Sequence, residues 1–155
     1  MITILYTNSD QVLNTIGLSS DDLADSFFVA RDFNRLLSVD LFTWLPTHAA
    51  INIPTGTPAA SDQAQFNSDC LSLYCTYFCA SKVLDATLAI MVKESDGQSE
   101  YNRFSSLDFA ALSKETQQQA GYYRHLLLDA IHDPGAAVHT QQLTVVAPTY
   151  DPVTG

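Results

Sequence analysis

The chain has 155 residues, 46% of them hydrophobic, enough for one ordinary domain with a substantial core and no need of disulfides. Seventeen acidic residues against seven basic ones give a formal charge of -10, which opposes attraction to phosphate backbones and anionic membranes and excludes a conventional DNA-gripping role. A negatively lined passage through which a duplex slides without being held is compatible with that charge.

The chain opens on "MITILYT", where Ile2, Ile4 and Tyr6 alternate with Thr3 and Leu5, the pattern of a short strand or an extended lead-in over residues 1–9. This start lacks the basic residues and cleavage site of a signal peptide. No later run approaches the roughly 18 to 20 apolar residues of a spanning helix, so a chain made and kept in a cytosol, with no membrane partner, is expected. "TNSDQ" supplies helix caps for a short helix from about Asp10 to Ile16, stopped by Gly17. In "GLSSDDLADS", Ser19 or Ser20 is a candidate cap with Asp21 and Asp22 in the first turn, where carboxylates complement the positive end of a helix.

From about Ser26 to Leu45, Val29, Phe33, Leu36, Leu37, Leu41, Trp44 and Leu45 recur at spacings of three and four, one face of an amphipathic helix. Arg31, Asp32 and Arg35 lie off that stripe. "PTHAAINIPTGTPAASD", residues 46–62, carries three prolines and a glycine without helical period and reads as a loop of a length that is functional or mobile. Beyond Asp62 no breaker occurs for about thirty residues, a helix of roughly 45 Å, and apolar residues on most sides of its middle make it the expected central buried helix. Cys70, Cys75 and Cys79 all fall in it, an odd and clustered set unlike a secreted disulfide framework, so reduced, buried thiols are expected.

"KESDGQSEYNRF", Lys93 to Phe104, interrupts the helical pattern. As a calcium loop with Gly97 at the sixth position it puts Val92 first and Arg103 twelfth, where acids are required, so a turn or short hairpin is left. Ser105 with Asp108 forms an approximate capping box for a helix from about Leu107 to His132, with Leu112, Tyr123, Leu127 and Ile131 inward, ended by "DPG". His125, Asp129 and His132 recur at four and three along it; they are the candidate metal ligands or general base of a small helical enzyme. No nucleophile elbow, phosphate loop or HExxH pattern accompanies them, and a polar outer face or a subunit contact is the ordinary explanation. Residues 133–155 form a tail whose only strand-like run is Leu143 to Ala147. It is either disordered or an arm that orders on another chain's sheet edge.

The expected fold is therefore mainly α: a helical bundle of about four helices over residues 10–132, with a turn or hairpin before the last helix and an extended C-terminal arm. Neither catalytic residues, nor a cofactor, nor a metal is expected of it.

The order of elements resembles the head-to-tail adaptor (connector) proteins of tailed bacteriophages. The likeness is carried by Gly17 to Asp25, the apolar run Leu71 to Val92, and Ser95, Asp96, Gly97, Arg103 and Phe104, and it covers about Asp10 to Ile131. The Pro-rich insertion Pro46 to Asp62 and the strand-like start depart from it. The resemblance implies a non-enzymatic virion protein, made in the host cytoplasm, whose copies form a ring, usually twelve-fold, beneath the portal. It implies an arm docking on the portal, here through Val138, Leu143, Val145, Val146, Pro148 and Tyr150, while the ring's other face receives the next neck or tail protein. Asp96, Gly97, Arg103 and Phe104 would lie at a turn touching a neighbouring copy. Asp21, Asp22 and Asp25 would be the candidate acids facing a channel through which double-stranded DNA passes without specific binding. A neck stopper or tail-completion protein shares these traits.

Overall fold

The computed structural model describes residues 1–21, 23–54, 56–94 and 106–132. The fold is mainly α, as expected. Its axis is a helix, α5 (Asp62–Glu94, 33 residues), about 50 Å long at 1.5 Å per residue. Between Ser68 and Ala86 this helix is buried on several sides, because elements from both halves of the chain pack on it. Its partner is α6 (Ser106–His132), which runs back along α5 and packs mostly on it. The buried row of α6 is Ser113, Thr116, Ala120, Leu127 and Ala130, four small side chains and one large one, which allows the two helices to approach closely. Stacked rings of Tyr77 and Tyr123, 5.6 Å apart, and a bond from Ser113 Oγ to Asp85 (2.8 Å) fix their register. Of the four residues expected inward on α6, Leu127 is buried and Leu112 and Tyr123 are half-buried. Ile131 is exposed, although Ala130 beside it in the same last turn is buried.

The N-terminal segment does not run on as an extended lead-in. Strand β1 (Thr3–Ile4) turns at Leu5 and Tyr6 and pairs antiparallel with β2 (Thr7–Asn8). Two residues per strand cannot stand alone in water. Anchors to the helices hold this hairpin: Ile4 enters the core, Thr7 Oγ1 meets Thr76 Oγ1 of α5 at 2.7 Å, Ser72 Oγ donates to the Tyr6 carbonyl, and the Leu5 amide donates to Asn34 Oδ1. Helix α1 (Ser9–Thr15) follows, capped by the Asn8 side chain accepting from the Gln11 amide (2.8 Å). It stops before Gly17, whose φ of +72° is the left-handed conformation that glycine adopts without strain. Val12, Leu13 and Ile16 seat it on α5.

No helix starts at Ser19 or Ser20, where a cap was expected. One turn closes there, with Leu23 N bonded to Ser19 O at 3.2 Å, and α2 (Asp25–Ala30) begins later without a side-chain cap. The single helix expected from Ser26 to Leu45 is two, α2 and α3 (Phe33–Trp44). The break is at Asp32, which takes a positive φ of 48° and caps α3 by accepting from the Arg35 amide. Bending there brings the Phe28 and Phe33 rings to 5.1 Å from each other, both buried. From the expected stripe, Phe33, Leu37, Leu41 and Leu45 are buried and Trp44 half-buried, but Val29 and Leu36 face outward at 65% and 48% exposure.

Within the expected loop, His48–Ile51 forms a short helix, α4, that packs on α5, and the Ile53 amide donates to Ser68 Oγ (3.0 Å). The proline-rich stretch is thus tied down along its first half. None of the described helices is long and apolar enough to cross a membrane.

Candidate functional site

Three places in the described structure concentrate chemistry. The first is where the N-terminal hairpin meets α4. His48 is buried, its Nδ1 lies 2.5 Å from the Tyr6 hydroxyl, and the edge of the Phe42 ring packs against it. Its Nε2 is buried without a hydrogen-bond partner among the described residues. Beside it opens a cleft of about 360 Å³, lined by Thr3, Tyr6, Asn8, Gln11, Asn52 and Ser72 among others. Its polar walls are mainly hydroxyls and amides, with Met1 at its edge, and the Tyr6 hydroxyl in it is held by the His48 imidazole. The Tyr6–His48 pair acts as a brace across 42 positions of sequence, joining the hairpin to the loop after α3.

The second place is the α3–α5–α6 junction. Asp40 accepts from Trp44 Nε1 (3.0 Å) and from the Tyr74 hydroxyl, and the Arg124 guanidinium lies 4.9 Å above the Trp44 ring. Burial first, then the Asp40 carboxylate beside it, keeps the Tyr74 phenol protonated far above its ordinary range. Asp40 therefore ties α3 to α5 through one oxygen that accepts from two neutral donors, and Arg124 over Trp44 adds α6 to the junction.

The third is the thiol cluster. Cys70, Cys75 and Cys79 are buried and free, as expected. Burial pushes the Cys70 thiol up to about 11 and the Cys79 thiol up to about 12, and Cys75 is raised well above its ordinary value, chiefly by burial and then by Cys79 and Asp40. Thiolate is the reactive form, so these are inert side chains used as small hydrophobes. Native protein is expected to leave Cys75 and Cys79 unmodified by iodoacetamide at pH 8 over hours, with all three thiols alkylated in urea. Mass spectrometry of the intact chain counts the adducts, and rapid native labelling of Cys79 would contradict its burial.

His125, Asp129 and His132 all lie exposed on α6. Among the described residues, no group of three or more His, Cys, Asp or Glu side chains is placed to hold a metal ion. Asp21 is exposed. The Asp25 carboxylate is engaged within the chain: it accepts from the Met1 ammonium (2.5 Å) and from Ser9 Oγ (2.7 Å), and these bonds hold its pKa below the usual carboxylate range. Asp22, the turn residues Asp96, Gly97, Arg103 and Phe104, and the arm residues Val138, Leu143, Val145, Val146, Pro148 and Tyr150 lie outside the described residues.

Of these sites, the Asp40–Trp44 bond had a readable signal, since the two residues are four apart on one helix. The Tyr6–His48 brace had none, because only the fold brings its partners together. Comparison with known proteins adds no relative: no protein-family model, curated protein or solved structure matches the chain.

Proposed function

We propose that the chain is a structural component of a tailed-phage virion, a ring-forming head-to-tail adaptor. In this reading its C-terminal arm docks on the portal and its ring offers the attachment surface for the next neck or tail protein. The observation that supports the proposal is a mainly helical scaffold that leaves large apolar side chains at its surface. Val39 and Phe42 of α3 are 63% and 62% exposed and Tyr122 of α6 is 52% exposed, a distribution suited to assembly. The formal charge of -10 supports the passage of DNA, since attractive contacts repeated around a ring would retard a translocating duplex. Asp21 is the described acid left for that role.

Deleting residues 138–155 is expected to leave the helical circular dichroism signal unchanged and to reduce co-sedimentation with the portal protein to background. Full attachment of the truncated chain removes the arm mechanism. The wider proposal is tested on purified particles: mass spectrometry should detect the chain and labelled antibodies should mark the neck. Absence from the particle overturns it.

A further inference from the structure

We infer that the outward face of α3 is one half of a head-to-tail contact between copies of this chain, and that the other half is the outward face of α6. The inference rests on the ring-forming reading and specifies which surfaces close the ring.

Helix α3 is apolar on two sides. Phe33, Leu37 and Leu41 are turned into the core, while Leu36, Val39 and Phe42 lie on the opposite side of the cylinder at 48%, 63% and 62% exposure. A row of this kind on a monomer marks a contact surface. Its polar component is cationic. Arg35 lies seven residues before Phe42, on the same line of the helix, and among the described residues it has no carboxylate partner. Of the two acids of α3 and its cap, Asp40 is half-buried and accepts from Trp44 and Tyr74, and the exposed Asp32 sits at the start of the helix, accepting from the Arg35 amide. A two-fold contact of α3 with α3 centred on Val39 and Phe42 would leave each Arg35 with no carboxylate opposite it. The complementary surface must be acidic, with an apolar centre.

One line along the outward side of α6 carries an apolar centre between two acids at matching spacing, with Lys114 and Arg124 exposed to either side of it. Glu115, Tyr122 and Asp129 recur every seven residues, about 10.5 Å apart at 1.5 Å per residue, and all three are exposed. With Tyr122 set against Val39 and Phe42, one of the two flanking acids reaches Arg35, Glu115 if the helices run parallel and Asp129 if antiparallel. Both faces point away from α5, so they meet only between copies. Such a contact leaves an unused half at each end of any open chain of copies, and it closes only as a ring.

The test uses the full chain and two variants that each disable one half, Val39→Asp and Tyr122→Asp, whose introduced acids repel each other, followed by sedimentation velocity and native mass spectrometry across concentration. Wild type is expected to form oligomers. Each variant alone is expected to be monomeric, its self-association weakened roughly 100-fold or more by the charge placed at the contact centre. Mixed in equal amounts, the two variants should give a dimer and nothing larger, because one intact α3 face and one intact α6 face remain; two misfolded proteins would not do this. Arg35→Glu should also weaken association, with recovery in combination with either Glu115→Arg or Asp129→Arg.

Wild type that stays monomeric up to its solubility limit overturns the inference, as do variants that associate like wild type, or a mixture that fails to dimerise. Deletion of residues 133–155 should leave association intact. Its loss would make the tail the occupant of the α3 face and equally overturn the inference. Portal attachment and presence in the particle are separate readouts, so the adaptor reading stands or falls independently.

Discussion

Truncating Leu127 to alanine is expected to lower the unfolding free energy by about 2–5 kcal/mol, among the largest effects of any single substitution in α6. Leu127 is fully buried and is the one large side chain in the buried row of the described part of α6. Its neighbours along that row, Thr116, Ala120 and Ala130, are short, so they cannot reach into the space it leaves. The α5 backbone is held near by those same short residues and cannot close the gap without separating elsewhere. The cost therefore includes a cavity term as well as the lost transfer energy. The urea midpoint should fall with the slope unchanged, as for a two-state loss of stability. The opposite change at the same interface, Ala120→Leu, should cost about 1–3 kcal/mol by forcing the helices apart. A Leu127→Ala variant within about 1 kcal/mol of wild type would mean that the hairpin repacks freely and that its small-residue contact is not specific.

The two helices of that hairpin were readable in the sequence because their described residues carry no proline and one glycine, Gly121, which a long helix tolerates. About thirty residues without Gly or Pro fixed α5, and apolar residues on several of its sides announced its central position. Gly17 announced the end of α1 for the reason seen in the structure, a left-handed φ. The region between was misread where one periodic signal carried two meanings. Val29, Phe33, Leu36 and Leu37 continue a three-four spacing straight through Asp32, so the period alone gives one helix with one apolar face. The chain instead breaks at Asp32, whose side chain both tolerates the left-handed conformation and caps the next helix. Asp favours caps over helix interiors, a weak signal that the demand of Phe28 and Phe33 for the same core turns into a break. Leu36 was misassigned for a related reason: a helix apolar on two sides satisfies the same spacing as one with a single wide face.

The contacts that secure the hairpin and loop were not legible, because their partners are far apart in sequence. Thr7 meets Thr76 and Tyr6 meets His48 only after α5 and α4 are in place. A threonine and a tyrosine in an alternating N-terminal segment give no hint of that. The clustering of cysteines was a better guide: Leu, Tyr and Phe as neighbours indicated burial, and the fold puts all three thiols in the core.

That burial predicts a steep alkaline loss of stability. In an unfolded chain a thiol ionises near pH 8.5. In the folded chain burial pushes Cys79 up to about 12 and raises Cys75 well above its ordinary value. Both folded pKa values are raised, so the stabilisation is fully present below about pH 8.5 and is lost progressively as pH rises toward the folded values. Each thiol that is ionised only in the unfolded state costs about 1.4 kcal/mol per pH unit, and two cost about 2.7. From pH 9 to pH 11 the expected loss is about 5 kcal/mol, comparable to the whole stability of a marginal domain. Cys70, pushed up to about 11, and Tyr74, also raised, shift in the same direction and steepen the fall. Urea midpoints measured by circular dichroism at half-unit steps between pH 7 and 11 should stay level to about 8.5 and then drop. In Cys75→Ala/Cys79→Ala protein the drop should be about half as steep, leaving the share due to Cys70 and Tyr74, even though the starting stability is lower. A wild-type curve that remains level to pH 11 would mean the thiols ionise without unfolding the core, which their burial in the packed centre of α5 does not permit.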